Sequence, residues 1–318
     1  MRIGVIIPAY NVAPWLTQAV WSVLDQTHRD RSLVIVDDGS TDATPSIIGR
    51  VSDTRVISLR QTNQGVSAAR NRGIAATDAS ALLFLDGDDW LAPDALAALA
   101  TTLRNAPDAF AAVGGYARVS SDGTLRRMRT PAAGDVPRRL LVRNLFVNGG
   151  HLLIRRAAID TAGYFDTTLS YGEDWDYWTR VATLGPFVAA RHATPLLCVR
   201  ERSGSAYHAM AHDPAPFHAC LEAIYRNPDI GARIPPAELG ALRRAARAEN
   251  DWVIGRELVR HGKTHEGVSW LLRSIRAAPS IKRCGMLGLA RLGVGPFRPY
   301  AASASTSRRG TACTGIAA

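Results

Sequence analysis

The sequence predicts an α/β domain, a parallel sheet with helices on both faces, followed by an α-helical C-terminal region. Three observations predict it. Strand-like and helix-like segments alternate four times between Arg2 and Asn105, and crossovers of that length join parallel strands. The strand-like runs lead into polar or acidic turns. From about Pro214 the text changes to long Ala- and Arg-rich helical segments.

The first run, "RIGVIIP", is rich in β-branched residues and ends in Pro8, so it reads as a strand buried on both faces. Next, "NVAPWLTQAVWSVLDQ" has Pro14 in a first-turn position and Leu16, Val20, Val23 and Leu24 at helical spacing. The unit then repeats. "SLVIVDDGS" is a strand and turn, "TDATPSIIGRV" a short helix, "RVISLR" a third strand and "GVSAARNRGIAAT" a helix. "SALLFLDGDDW" is the fourth strand, and "APDALAALATTLRN" is a helix with Pro93 and Asp94 in its first turn. In such sheets ligands bind beyond the carboxyl ends of the strands. Those ends are Pro8 to Asn11, Asp37 and Asp38, Asn63 to Gly65, and Asp86 to Asp89. Polar groups separated by dozens of residues therefore share one edge.

Beyond Arg104 the pattern loosens into apolar stretches, "FAAVGGYARV", "HLLIRR" and "PFVAA", and one compact helix, "GEDWDYWTRVATLG". The organisation expected is a sheet domain over 1–205, a basic helical region over 206–300 and a tail over 301–318. That tail, "AASASTSRRGTACTGIAA", has little to bury and reads as disordered. Within the helical region, "PAELGALRRAARAENDWVIGRELVRHG" and "THEGVSWLLRSIRAAPS" form a hairpin around "HGKT".

A chain of 318 residues is long enough for a sizeable core and a smaller appendage. Nowhere do 18 residues run without a charge or a breaker, so no membrane span is expected, and Met1-Arg2 leading into "IGVIIPAY" does not read as a signal peptide. A cytoplasmic location is expected, with the inner membrane face as a peripheral option. Cys198, Cys220, Cys284 and Cys313 show no Cys-x-x-Cys spacing, which argues against a zinc site or a disulfide framework. The net charge of +10 is uneven: residues 206–318 hold 16 Lys and Arg against 8 Asp and Glu. That excess suits a solvated helical face, an anionic membrane surface or another acidic partner; no nucleic-acid partner is expected.

The chemistry lies in the turns. "LDGDDW" crowds Asp86, Asp88 and Asp89 at the end of an apolar strand, where carboxylates resist ionising unless a positive group sits beside them. Asp-Gly-Asp is a hard-oxygen pattern suited to Mg²⁺ or Mn²⁺. Taken alone it is equally a turn sequence, as is "VDDGSTD". An EF-hand is excluded, because the bidentate acid at position 12 of such a loop would be Ala97.

"IIPAYN", "VIVDDGSTD", "NQGVSAARN", "LFLDGDDW" and "GEDWDYWTR", in this order and spacing, resemble the inverting family 2 glycosyltransferases of the GT-A fold. The resemblance covers roughly Arg2 to Ser205. It implies a sugar-nucleotide donor whose base and ribose lie against Pro8, Ala9, Tyr10 and Asn11, with Asp38 accepting from the base or ribose and Asp37 closing the turn. Asn63, Gly65 and Arg70 would stand on the nucleotide or diphosphate, Arg70 by the fixed fork of its guanidinium, although a plain surface arginine remains an alternative for it. Asp86 would contact ribose or sugar, and Asp88 would ligate the Mg²⁺ or Mn²⁺ that bridges the diphosphate. In "GEDWDYWTR" the resemblance makes Asp174 the general base. Glu173 reads as a helix-start acid or an acceptor-site group, Trp175 as core or a sugar-stacking ring, and His151 in "NGGHLLIRR" as an acceptor contact or a structural histidine. "VRERSGSAYH" departs from the family pattern: Arg202 stands near the place of a metal-reaching histidine, so Arg200 or Arg202 could bind the diphosphate instead.

The function expected is therefore an inverting glycosyltransferase of hexosyltransferase type. Its acceptor would be a saccharide or lipid-linked saccharide, in surface glycan or polysaccharide synthesis. Two alternatives stay open: a sugar-phosphate nucleotidyltransferase, for which "PAYNVAPW" lacks the Gly-rich triphosphate loop, and a non-catalytic sugar-nucleotide-binding protein. A dinucleotide-binding dehydrogenase would need Gly-x-Gly-x-x-Gly in that same loop.

Overall fold

The structure, a computed structural model, describes residues 1–120, 123–130, 136–201, 213, 215–292 and 294–297. The expected boundary at 205/206, Arg202 and the 301–318 tail lie outside the described residues.

The four predicted strand–helix units are all present. They are β1 (Ile3–Ala9), α1 (Ala13–Leu24), β2 (Arg31–Asp37), α2 (Thr44–Ile48), β3 (Val56–Arg60), α3 (Val66–Ala75), β4 (Ala81–Phe84), and, after the short β5 (Trp90–Leu91), α4 (Ala95–Arg104). β1 lies between β2 and β4, parallel to both, and β3 adds beyond β2 as an edge. The edge position explains why β3 is half exposed while β1, β2 and β4 are wholly buried. Alternate residues divide the core between the two faces: Ile6, Val34, Leu82 and Phe84 on one side, Val5, Ile7, Ile35 and Leu83 on the other. A Cβ on Gly73 would come within 2.4 Å of Ile6 Cγ2, so glycine lets α3 lie directly on β1.

The looser text completes this sheet and starts another. β6 (Ala111–Val113) and β7 (Tyr116–Val119) are split at Gly114 and Gly115, where the chain passes between sheets; β8 is Leu125–Arg129. After α5 (Val136–Leu140), β9 (Leu152–Arg155) enters antiparallel between β4 and β6, followed by α6 (Arg156–Ala162), α7 (Glu173–Leu184), β10 (Phe187–Ala189) and β11 (Leu197–Arg200). The large sheet runs β10-β6-β9-β4-β1-β2-β3, and a four-stranded sheet, β5-β11-β7-β8, lies beside the end of β4.

The C-terminal helices are α8 (Ala215–Arg226), α9 (Pro228–Arg233), α10 (Pro236–Arg260), α11 (Thr264–Ala277) and α12 (Ile281–Leu292). The core on the α7 face continues into them through Cys220, Leu221, Ile224, Ile230, Ile234 and Ala246. α10 and α11 form the expected hairpin. It closes through two glycines, since a Cβ on Gly255 would stand 2.7 Å from the Gly267 carbonyl oxygen and one on Gly267 would stand 2.6 Å from that of Gly255. Among the described residues, no helix is long and apolar enough to cross a membrane.

Candidate active site

The carboxyl ends of β1, β2 and β3 are stitched together by short polar side chains. Asn11, held at φ 51°, accepts from the Thr41 N–H at 2.9 Å and the Asp42 N–H at 3.3 Å. The buried Asp38 carboxylate accepts from Gln61 Nε2 at 2.8 Å and from the N–H groups of Gln64 at 2.9 Å and Gly65 at 2.8 Å. Three donors on one buried carboxylate satisfy its charge without a counter-ion. Asp37, also buried, accepts from the Ser40 N–H at 2.9 Å and pairs with Arg60 at 3.3 Å. Gly39 turns at φ +76°, with room for a Cβ refused by the Asn63 nitrogen at 2.8 Å. The turns thus touch, and beside them lies a cleft of about 530 Å³ lined by Gly39, Arg60, Gln61, Thr62 and Asn63. Pro8 and Ala9 are buried at the end of β1, whereas Tyr10, Asn63 and Gly65 are exposed along this rim.

One buried arginine on α3, the helix that begins at this rim after Gly65, joins acids of two other elements. Arg70, on α3, donates to Asp86 Oδ1 at 3.1 Å and to Glu173 Oε1 at 2.9 Å. Burial alone would lower its pKa, but Asp86, Glu173 and Asp174 together hold it above the ordinary value. Asn148 bridges a second pair of acids, sharing Asp86 with Arg70. Its Nδ2 donates to Asp86 Oδ2 at 3.2 Å and to Asp89 Oδ2 at 2.6 Å. Asp89 also accepts from the Arg200 N–H at 2.9 Å, which ties β11 to this turn. Arg200 Nε donates to the Asp88 carbonyl at 3.2 Å, and its guanidinium lies 4.8 Å over Trp90. Burial and the charges of Asp86 and Asp88 push the Asp89 carboxyl well above the carboxylate range. Five acids, Asp86, Asp88, Asp89, Glu173 and Asp174, thus gather near the two arginines Arg70 and Arg200. Among the described residues, no group of three or more His, Cys, Asp or Glu is arranged to hold a metal by itself. The donors present are hard oxygens in excess over cations, a set that fits Mg²⁺ or Mn²⁺ where a ligand supplies further oxygens.

Asp174 stands in the first turn of α7, half-buried. Its Oδ1 accepts from the Trp175 N–H at 2.6 Å, and Asn144 Nδ2 lies 3.3 Å from both oxygens. Burial, with the charge of Glu173, lifts its pKa from 3.8 to about 7, against the opposing pull of Arg70 and the Trp175 N–H. A carboxyl raised this far can both hold and release a proton near neutrality.

The structure therefore brings Arg70, Asp86, Asp88, Glu173 and Asp174 into one cluster and sets Asp38, Gly65 and Asn63 at its adjoining rim. It turns two predicted side chains inward. His151 is buried, its Nδ1 2.8 Å from the Gly114 carbonyl and its ring edge-on to Tyr116 and Phe146. Trp175 is buried too, donating through its indole N–H to the Leu140 carbonyl at 2.6 Å. Two functional neighbours lie outside the residues that the sequence points to, Asn144 and Asn148. The signal for Asn148 was present, a carboxamide just ahead of Gly149 and Gly150, both closely packed; Asn144 carried none.

The family model described as Glycosyl transferase family 2 matches residues 4–163. Over 95 residues the chain is 40% identical to the glycosyltransferase GlyA of Streptococcus pneumoniae, covering 29% of this chain and 14% of that protein. Over 99 residues it is 43% identical to an uncharacterised glycosyltransferase of Nostoc sp., covering 30% of this chain and 31% of that one. The matched stretch is thus less than a third of either relative's length. Among solved structures, S. aureus TarS 1-349 in complex with UDP-GlcNAc superposes with a TM-score of 0.57 at 16% identity, covering 90% of this chain and 92% of that one. The mannosyltransferase PcManGT from Pyrobaculum calidifontis, in complex with GDP-Man and Mn²⁺, gives 0.58 at 19% identity, covering 93% and 82%. At these identities the likeness is one of fold.

Proposed function

The chain belongs to glycosyl transferase family 2, and from that premise we propose that it moves a sugar from a nucleotide-diphosphate donor to an acceptor hydroxyl with inversion at the anomeric carbon. One observation carries the reading: a single buried arginine, Arg70, bonds at once to Asp86 of the β4 turn and to Glu173, the neighbour of Asp174. The acid suited to work as a base is thereby fixed beside the acids suited to the donor.

In this reading the nucleoside lies along the rim of Tyr10, Asn63 and Gly65, on a floor made by Pro8 and Ala9. Asp38 serves by holding the β2 and β3 loops in place, its carboxylate being committed to Gln61, Gln64 and Gly65. Asp86, oriented by Arg70 and Asn148, faces the ribose or sugar. Asp88 would hold Mg²⁺ or Mn²⁺ together with the donor diphosphate, and that ion, when bound, would neutralise charge developing on the leaving group. Asp174 accepts the proton of the acceptor hydroxyl as the oxygen attacks from the side opposite the diphosphate. Its raised pKa makes it a stronger base than an ordinary carboxylate. Asn144 and the Trp175 N–H fix the orientation of that carboxylate. The acceptor proposed is a saccharide or lipid-linked saccharide, in surface glycan or polysaccharide synthesis.

The test is incubation with a panel of sugar nucleotides and Mg²⁺ or Mn²⁺, with release of nucleoside diphosphate followed with and without candidate acceptors. Acceptor-stimulated release with inverted product supports the proposal. Formation of sugar nucleotide from triphosphate and sugar phosphate would replace it with a nucleotidyltransferase. Metal-dependent binding without turnover under any acceptor would leave a binding protein.

A further inference from the structure

The helix α12 carries an apolar face that nothing in the described chain covers. Ile281 is 94% exposed and Leu292 74%, with Leu289 and Val294 also exposed. At 3.6 residues per turn, Ile281, Gly285, Gly288, Leu289 and Leu292 fall within an arc of about 100°. A Cβ placed on Gly285 or Gly288 would meet nothing within 4 Å, so this arc faces open space along its length. The opposite arc is the one that anchors the helix: Met286, Leu287 and Ala290 pack with Val259, Leu271, Trp252 and Phe297. α12 is therefore fixed to the α10–α11 hairpin by one side and presents aliphatic side chains on the other.

The charges say what that side fits. Lys282 flanks the exposed arc on one edge and Arg291 on the other; both are exposed, and neither has an acidic partner among the described residues. Beyond Glu266 the sequence holds eight Lys and Arg and no Asp or Glu. An aliphatic stripe bordered by long basic side chains matches the interface of an anionic bilayer, where the stripe enters the acyl boundary and the cationic ends stay among the headgroups. Among the described residues no acid borders this arc, so what it meets must carry negative charge around an apolar surface, as an anionic bilayer does over its whole area. We propose that the exposed face of α12 docks the protein on an anionic lipid bilayer. The helix does so lying in the surface plane, since twelve residues span only about 18 Å. This inference is independent of the transferase chemistry proposed above.

The full chain is mixed with vesicles of phosphatidylcholine alone or of phosphatidylcholine and phosphatidylglycerol in equal amounts, then floated on a density gradient. Binding to the anionic vesicles is expected, weakening as salt is raised. Lys282→Glu with Arg291→Glu should weaken it by about twentyfold or more. Ile281→Ser with Leu292→Ser should weaken it by about tenfold or more at the same charge. These four side chains are exposed, so the far-ultraviolet spectrum should be unchanged in both variants. Equal binding to both vesicle types, no binding to either at low salt, or anionic binding that both double variants retain would overturn the proposal. So would a dimer in sedimentation that Leu292→Ser disperses, because the face would then belong to a second copy.

Discussion

Replacing Asp174 by Asn separates chemistry from stability in one residue. The folded-state pKa of about 7 lies some three units above the ordinary value of 3.8, chiefly because of burial and then Glu173. Three units correspond to about 4 kcal/mol of disfavour for the ionised form, an upper bound. Two effects reduce the expected gain to about 1–2 kcal/mol: solvent contact at the half-buried carboxylate, and the crowding of the new amide's NH₂ against the amide donor of Asn144. Because the folded pKa is raised, the folded protein holds this proton to higher pH than the unfolded chain does. The native state is thus least penalised below about pH 4, and the penalty grows as pH rises through about 7. The Asn variant should accordingly melt a few degrees higher than the parent at pH 8 and no higher at pH 4. Its turnover should fall by about 10²–10⁴, while calorimetric affinity for the sugar nucleotide stays within about twofold, because uniform binding is untouched. Near-normal turnover in this variant would remove Asp174 from the mechanism, and a melting difference independent of pH would refute the assigned cause of its raised pKa.

Other side chains give sharper structural outcomes. Arg70→Met leaves Asp86 and Glu173 beside each other without their shared cation, so urea denaturation should show a loss of about 3–5 kcal/mol, together with loss of donor binding. Asn148→Ala removes the donor common to Asp86 and Asp89; turnover should drop by about tenfold or more, with a rise in donor KM, at a stability cost of about 1–3 kcal/mol. Gly255→Val drives a side chain into the Gly267 carbonyl. It should lower Tm and speed proteolysis between α10 and α11, the overpacking cost being about 1–3 kcal/mol or more.

The sheet was legible because its strands are buried on both faces and so spell continuous apolar runs. Pro14, Pro45 and the acids at Asp37, Asp86 and Glu173 mark the turns and helix starts between them. The ends of those strands pointed to Asp38, Asp86 and Asp88, whereas Asp174 was reached only through the family resemblance of "GEDWDYWTR". What sequence could not give was direction. His151 and Trp175 sit in stretches that flank the site, yet the His151 ring points to the Gly114 carbonyl and the Trp175 indole to the Leu140 carbonyl. A side chain one residue along reverses face in a strand, and nothing periodic marks which way a loop residue turns. The second sheet was equally silent, since β5 has two residues and β11 four. Asn144 and Arg200 act through contacts across 30 and 112 positions of the chain, a separation that no local pattern encodes.

Should acids from separate loops form one site that grips a sugar nucleotide through a divalent cation, binding must depend on both the cation and Asp88. Isothermal titration of sugar nucleotide into the protein, with Mn²⁺ present or chelated and with Asp88→Asn alongside the parent, tests it most directly. Binding that needs the cation and is lost in Asp88→Asn is the result predicted. Equal affinity with and without cation, unchanged in the variant, would contradict it.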